Sequence, residues 1–108
     1  ERLYPQGGRY RARMDVRLGR NGIHIGGGLL AQLDLSTTRQ CHVEWDHGDK
    51  TLYITVAEDG PWRLPTVSSS KLGGAALVAR LVDCGMRPGT YEARVEGNTI
   101  VVPTRQEV

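Results

Sequence analysis

The sequence predicts a mainly β protein, a small barrel built about a pseudo-two-fold axis with two short helices. Three observations carry this expectation. Residues 21–56 and 68–102 read alike, each a Gly-rich lead-in, a short helix and two strands about a tight turn. Neither stretch could bury its apolar face alone, so the two would close one core. Residues 9–18 alternate strictly between polar and apolar, the period of a half-buried strand. Helical patterning covers only two brief stretches, which argues against a doubly wound parallel sheet.

The first strand spans 9–18. Tyr10, Ala12, Met14, Val16 and Leu18 share one face, and Arg9, Arg11, Arg13, Asp15 and Arg17 share the other. Gly19-Arg20-Asn21-Gly22 reads as a tight turn, because Asn and Gly both tolerate positive φ. Ile23-His24-Ile25 returns as the second strand of a hairpin. Gly26-Gly27-Gly28 breaks that strand as a flexible corner, and a helix is expected over 29–35. Residues 41–45 and 52–56 alternate as two amphipathic strands around Asp46-His47-Gly48-Asp49-Lys50.

Residues 58–61 end the first half and 62–65 read as a connector. A short strand is expected over 66–70, and Lys71-Leu72-Gly73-Gly74 parallels the earlier glycine run. A second helix is expected over 75–82, ending near Gly85. Strands over 91–95 and 99–102 flank Glu96-Gly97-Asn98, and Pro103 stops the sheet. Residues 1–8 and 104–108 read as a loose arm and a tail. The chain is thus expected to be a single domain over 1–108. Its first barrel half, with the N-terminal strand, is 9–60 and its second is 66–103.

With 108 residues, 39 % hydrophobic, 24 % charged and no Phe, the core must be aliphatic and the class ordinary globular. No apolar run approaches the ~18–20 residues of a membrane span, and the first residues lack a secretory leader pattern. A cytoplasmic protein without a membrane partner is expected. Cys41 and Cys84 lack CxxC spacing, so free buried thiols are expected and a zinc site is not. The net charge of +2 says little, but five of the fourteen Lys and Arg residues lie between Arg9 and Arg20, with Asp15 the only acid among them. Arg9, Arg11, Arg13 and Arg17 would form a row about 6–7 Å apart, near the spacing of phosphates along a nucleic-acid strand. Arginine also suits bidentate phosphate contact. The competing reading is a solvated outer face that discourages edge pairing.

Other candidates for chemistry are weaker. The Gly26-Gly27-Gly28 run lacks Gly-x-Gly-x-x-Gly spacing and a following Lys-Ser or Lys-Thr. His42, Glu44 and Asp46 share a strand face, which reads as solvated surface, and His24 and His47 add no recognisable metal or acid–base arrangement. No catalytic triad or carboxylate pair stands out. No catalytic residue, cofactor or metal is assigned, and the protein is expected not to be an enzyme.

Two segments resemble a known family. Residues 21–35, Asn-Gly-Ile-His-Ile-Gly-Gly-Gly-Leu-Leu-Ala-Gln-Leu-Asp-Leu, are similar to the core of the AbrB/SpoVT family: Gly-Arg-Ile-x-Ile-Pro, then a short helix with Leu-Arg-x-x-Leu-Gly. Residues 86–102, from Met86-Arg87-Pro88-Gly89 through Glu96-Gly97-Asn98 to Val102, match its later Pro-Gly-Asp turn and β-hairpin. The resemblance spans about 15–102 in two diverged copies. It departs at Gly26, where the family has Pro, at Leu30, where it has Arg, and at Ile23, which follows Gly22 with no basic residue between. Arg80 is the only comparable helical arginine.

Family members are typically dimers of one repeat, forming a swapped-hairpin barrel that binds DNA through basic residues on one face. The resemblance therefore implies a monomeric pseudo-dimer of the cradle-loop barrel group, swapped-hairpin or double-psi in topology. It also implies an AbrB-like transcriptional regulator that binds duplex DNA. The residues assigned to nucleic acid are Arg9, Arg11, Arg13, Arg17, Arg20, Lys71 and Arg80. The alternative is a protein-binding or assembly module of the same fold, acting with a protein partner or as a homo-oligomer. A third reading is a small-molecule enzyme on a double-psi barrel. That group includes self-cleaving decarboxylases, but their Gly-Ser pair is absent here.

Overall fold

A computed structural model of the chain describes residues 14–64 and 71–104. In chain order the elements are β1 (Asp15–Leu18), β2 (Ile23–Ile25), α1 (Gly27–Gln32), β3 (Gln40–Asp46), β4 (Thr51–Val56), β5 (Trp62–Arg63), α2 (Ala75–Cys84), β6 (Gly89–Glu92), β7 (Arg94–Glu96) and β8 (Thr99–Pro103). The protein is mainly β with two short helices. The described strands form two open antiparallel sheets, ordered β2-β1-β6 and β5-β3-β4-β8-β7. They do not close into the barrel that the sequence led us to expect. The expected strand over 66–70, residues 9–13 of the first strand, the arm over 1–8 and residues 105–108 lie outside the described residues.

In the first strand the alternation holds over residues 16–18. Val16 and Leu18 on β1 are buried while Arg17 between them is exposed. β1 pairs with β2 through Val16–Ile25, Arg17–His24 and Leu18–Ile23. The turn between them is closed by the Gly19 N–H donating to the Gly22 carbonyl at 3.0 Å. Neither Asn21 nor Gly22 takes a positive φ, so the reason given from sequence for this turn is not the operative one. A Cβ on Gly22 would sit 2.8 Å from the Lys71 Cβ, which makes close approach of a neighbouring segment the reason for glycine here. The turn at 96–99 does use a left-handed glycine, Gly97 at φ 62, as its first central residue.

Helix α1 corrects the expectation of 29–35 at both ends. Gly27 and Gly28 lie in its first turn, so the glycine run is helix start and not a corner. The helix stops at Gln32 because Leu33 turns extended. That exit is held by a reciprocal clamp. The Asp34 N–H donates to Asn98 Oδ1 at 2.8 Å, and Asn98 Nδ2 donates to the Asp34 carbonyl at 3.1 Å. Helix α2 runs two residues past its expected end. Its exit is capped by Gly85 at φ 117, with the Met86 N–H reaching the Leu81 carbonyl at 3.0 Å.

Two further corrections concern strands. The connector expected over 62–65 contains β5, which pairs with the start of β3 through Gln40–Arg63 and Cys41–Trp62. The single strand expected over 91–95 is two strands that part at Ala93. Tyr91 on β6 faces Val16 in the first sheet, whereas Val95 on β7 faces Ile100 in the second. The Ala93 N–H donates to the Met14 carbonyl at 3.0 Å, so the chain changes sheets across one hydrogen-bonded residue and makes a corner. Pro103 is the last paired residue of β8, opposite Thr51.

The core lies between the two sheets and the helices. Val16, Leu18, Ile23, Leu29, Leu52, Ile54, Leu72, Met86, Ile100 and Val102 are almost wholly enclosed. It is aliphatic, as the absence of Phe requires. Both cysteines are free. Cys41 is buried, and burial raises its thiol to about 11, whereas Cys84 is only half-buried, a correction to the expected pair of buried thiols.

Several pairings mirror one another. Ile23 and Leu72, three or four residues before a helix, exchange both backbone hydrogen bonds at 3.0 and 2.8 Å. At the centre of the second sheet Thr51 faces Pro103, Tyr53 faces Val101 and Thr55 faces Thr99, a register unchanged when β4 and β8 are exchanged. β1 lies beside β6, which leads into the second hairpin, while β5 lies beside the start of β3, which opens the first.

Candidate nucleic-acid interface

Three basic side chains meet at the turn end of the first sheet. Arg17 is exposed on β1 because its neighbours Val16 and Leu18 take the core side. Register places His24 directly across from it on β2. Lys71 arrives from far along the chain, delivered by the reciprocal Ile23–Leu72 hydrogen bonds and admitted by the missing side chain of Gly22. Arg20 stands exposed in the turn itself. Among the described residues Arg17, Arg20 and Lys71 form no ion pair.

The electrostatics of His24 register this convergence. Burial lowers its pKa from the ordinary 6.5, and the charges of Arg17 and then Lys71 lower it further. Gly19 packs under the ring, where a Cβ would lie 3.3 Å from the imidazole. Field and donors together suit an anion: two guanidinium groups, an ammonium and an imidazole that an adjacent anion would help to protonate. Further along β1 Asp15 faces Glu92 on β6, so among the described residues the basic side chains of this sheet lie at the turn end.

The remaining basic candidates go elsewhere or lie beyond the description. Arg80 is exposed on α2 and lines a groove with Trp45 and Trp62, apart from the residues around His24. Arg9, Arg11 and Arg13 lie outside the described residues. His24 was the member that sequence reasoning passed over. Its signal was the hairpin register, which follows from the turn at 19–22 and sets residue 24 opposite 17.

The other titratable row is a surface arrangement. His42 Nε2 lies 3.0 Å from Asp59 Oδ1, and that contact holds the Asp59 carboxyl below its usual range. Asp46 Oδ1 accepts the N–H groups of Gly48 and Asp49 and so shapes the β3–β4 turn. Among the described residues no three His, Cys, Asp or Glu side chains come together as a metal site, and no helix is long and apolar enough to cross a membrane. No family model matches the chain, and neither the curated proteins nor the solved structures contain a match to it.

Proposed function

We propose that the protein binds duplex DNA through the turn end of its first sheet, as a regulator of the AbrB/SpoVT kind. One observation carries the reading. Arg17 and Lys71, distant in sequence, converge on His24 without an acidic partner among the described residues. Unpaired cations gathered on one face are the electrostatic footprint of a phosphate-binding surface. Arg20 extends it at the turn, and Arg9, Arg11 and Arg13 join it on the ground of sequence alternation alone. DNA binding without chemistry fits an intracellular regulator better than an enzyme.

The finer architecture belongs to the same proposal. The pairing of β4 with β8 and of Ile23 with Leu72, at corresponding points of the two similar stretches, supports two copies of one unit about a pseudo-two-fold axis. β1 and β5 would then be equivalent leading strands, which moves the start of the second copy to Trp62. A swapped-hairpin arrangement of such copies is the one that the family resemblance favours.

The test is a titration with random duplex DNA at several salt concentrations. With about four phosphate contacts, log affinity against log salt should fall with a slope near −3 to −4, at roughly −0.9 per contact. Replacing Arg17 and Lys71 together by Ala should flatten the slope by about two units. Wild-type protein that ignores DNA at low salt, or a double variant that binds as well as wild type, would overturn the proposal.

A further inference from the structure

A second surface feature has nothing to do with the basic turn. Helix α2 stands off from β3 and β5, leaving a groove of about 410 Å³. The sheet wall is Val43, Trp45 and Trp62. Val43 and Trp45 are two apart on β3 and so share a face, and Trp62 sits opposite Cys41 in the adjoining register. The helix wall is the stripe Ala76, Arg80 and Cys84, spaced four apart and so aligned along one side of the helix. Leu77 and Leu81 line the same side of the groove.

Two residues that line this groove carry polar groups without partners among the described residues. The Trp45 Nε1–H is buried and has no hydrogen-bond acceptor. Buried donors are almost always paired. Arg80, at the same groove, makes no hydrogen bond or ion pair among the described residues. The volume falls within the ~300–1,000 Å³ of small-molecule sites, which are mostly apolar with a few placed polar groups.

We propose that this groove binds a small apolar carboxylate. The apolar body would lie between Trp45, Trp62 and the Ala76 side of α2. Its carboxylate would pair with the Arg80 guanidinium. An aryl-alkyl acid suits the groove best, because the two indoles offer a ring both faces and edges to pack on.

The protein has only two tryptophans and both line the groove, so tryptophan fluorescence reports on it. The experiment titrates the full chain with 3-phenylpropionate, following fluorescence and the two indole N–H cross-peaks in a ¹H–¹⁵N spectrum. Saturable change is expected with a Kd on the order of 1 mM or tighter, with both indole N–H peaks moving as the ligand packs against the rings. Arg80→Gln should weaken binding about tenfold through loss of a charged hydrogen bond. Ala76→Leu, which fills the groove, should abolish binding. Both positions are exposed on α2, so neither change threatens the fold. No saturable response up to about 20 mM would overturn the proposal, as would equal affinity for 3-phenylpropanamide together with an unaffected Arg80→Gln variant.

Discussion

The two helices of this chain start alike and end differently. Each follows a segment held by the reciprocal Ile23–Leu72 hydrogen bonds. Each begins after a glycine cap in extended backbone, Gly26 or Gly74, with no side-chain capping bond. From there α1 runs six residues and buries Leu29 alone, whereas α2 runs ten and buries Leu77, Val78 and Leu81. Gly27 and Gly28 weaken the start of α1, but its last residues, Leu, Ala and Gln, are good helix formers, so propensity does not explain where it stops. The exits explain it. Leu33 must turn extended for Asp34 to engage Asn98 on the β7–β8 turn, while α2 meets no such partner and continues to its left-handed Gly85. Where a short helix stops is therefore a matter of what waits at its end. The same difference shapes the surface: α1 lies against β7, and α2 leaves the groove against β3.

Substitutions at the buried faces should break this contrast most visibly. Leu29 is fully enclosed and is the single buried anchor of α1, so Leu29→Ala is expected to cost about 3–4 kcal/mol. It should also strip hydrogen-exchange protection from residues 27–32. Leu81→Ala is expected to cost about 2–3 kcal/mol, yet leave α2 protected by Leu77 and Val78. Urea unfolding with exchange measurements checks both. Equal local loosening of the two helices would show that α1 does not hang on one side chain.

Asn98→Ala addresses the exit. It removes two hydrogen bonds to Asp34 and should destabilise by about 1–2 kcal/mol. Exchange should rise at residues 32–36 with α2 unaffected. A chain in which α1 ends as firmly as before would mean that Leu33 turns extended for some other reason.

The smallest effect concerns the paired segments that lead into the helices. The His24 pKa in the folded protein lies below the ordinary 6.5, from burial and then the charges of Arg17 and Lys71. Between the folded value and 6.5 the unfolded chain binds more protons, so stability rises with pH across that window. The contribution is complete above 6.5, declines as pH falls below it, and levels off once folded His24 is also protonated. His24→Gln should remove this part of the pH dependence. Unfolding midpoints between pH 5 and 8 measure it, and a variant with the wild-type slope would place the titration elsewhere.

Particular residues show how much could be read in advance. The β3–β4 hairpin was legible almost to the residue, because period-two alternation and a polar turn are local signals. Exposure of Arg17 between Val16 and Leu18 was legible for the same reason. The meeting of Lys71 with Arg17 and His24 was not, since it depends on one isolated bridge between Ile23 and Leu72. Arg80 shared the charge of the basic set, but helix position alone could not say which surface it would line. The groove was hidden because Trp45, Trp62 and Ala76 belong to three separate elements.

The sequence by itself determined the mainly β class, the aliphatic core and the outward face of β1, because alternation and composition act within a few residues of chain. Tertiary structure decided the split at Ala93, the early end of α1 and the gathering of the basic side chains. At each of these places a backbone group had to satisfy a partner distant in sequence: the Ala93 N–H with Met14, Asp34 with Asn98, Ile23 with Leu72. Hydrogen-bonding groups taken out of water must find partners wherever the fold brings them, and no local pattern of residues encodes which distant group that will be.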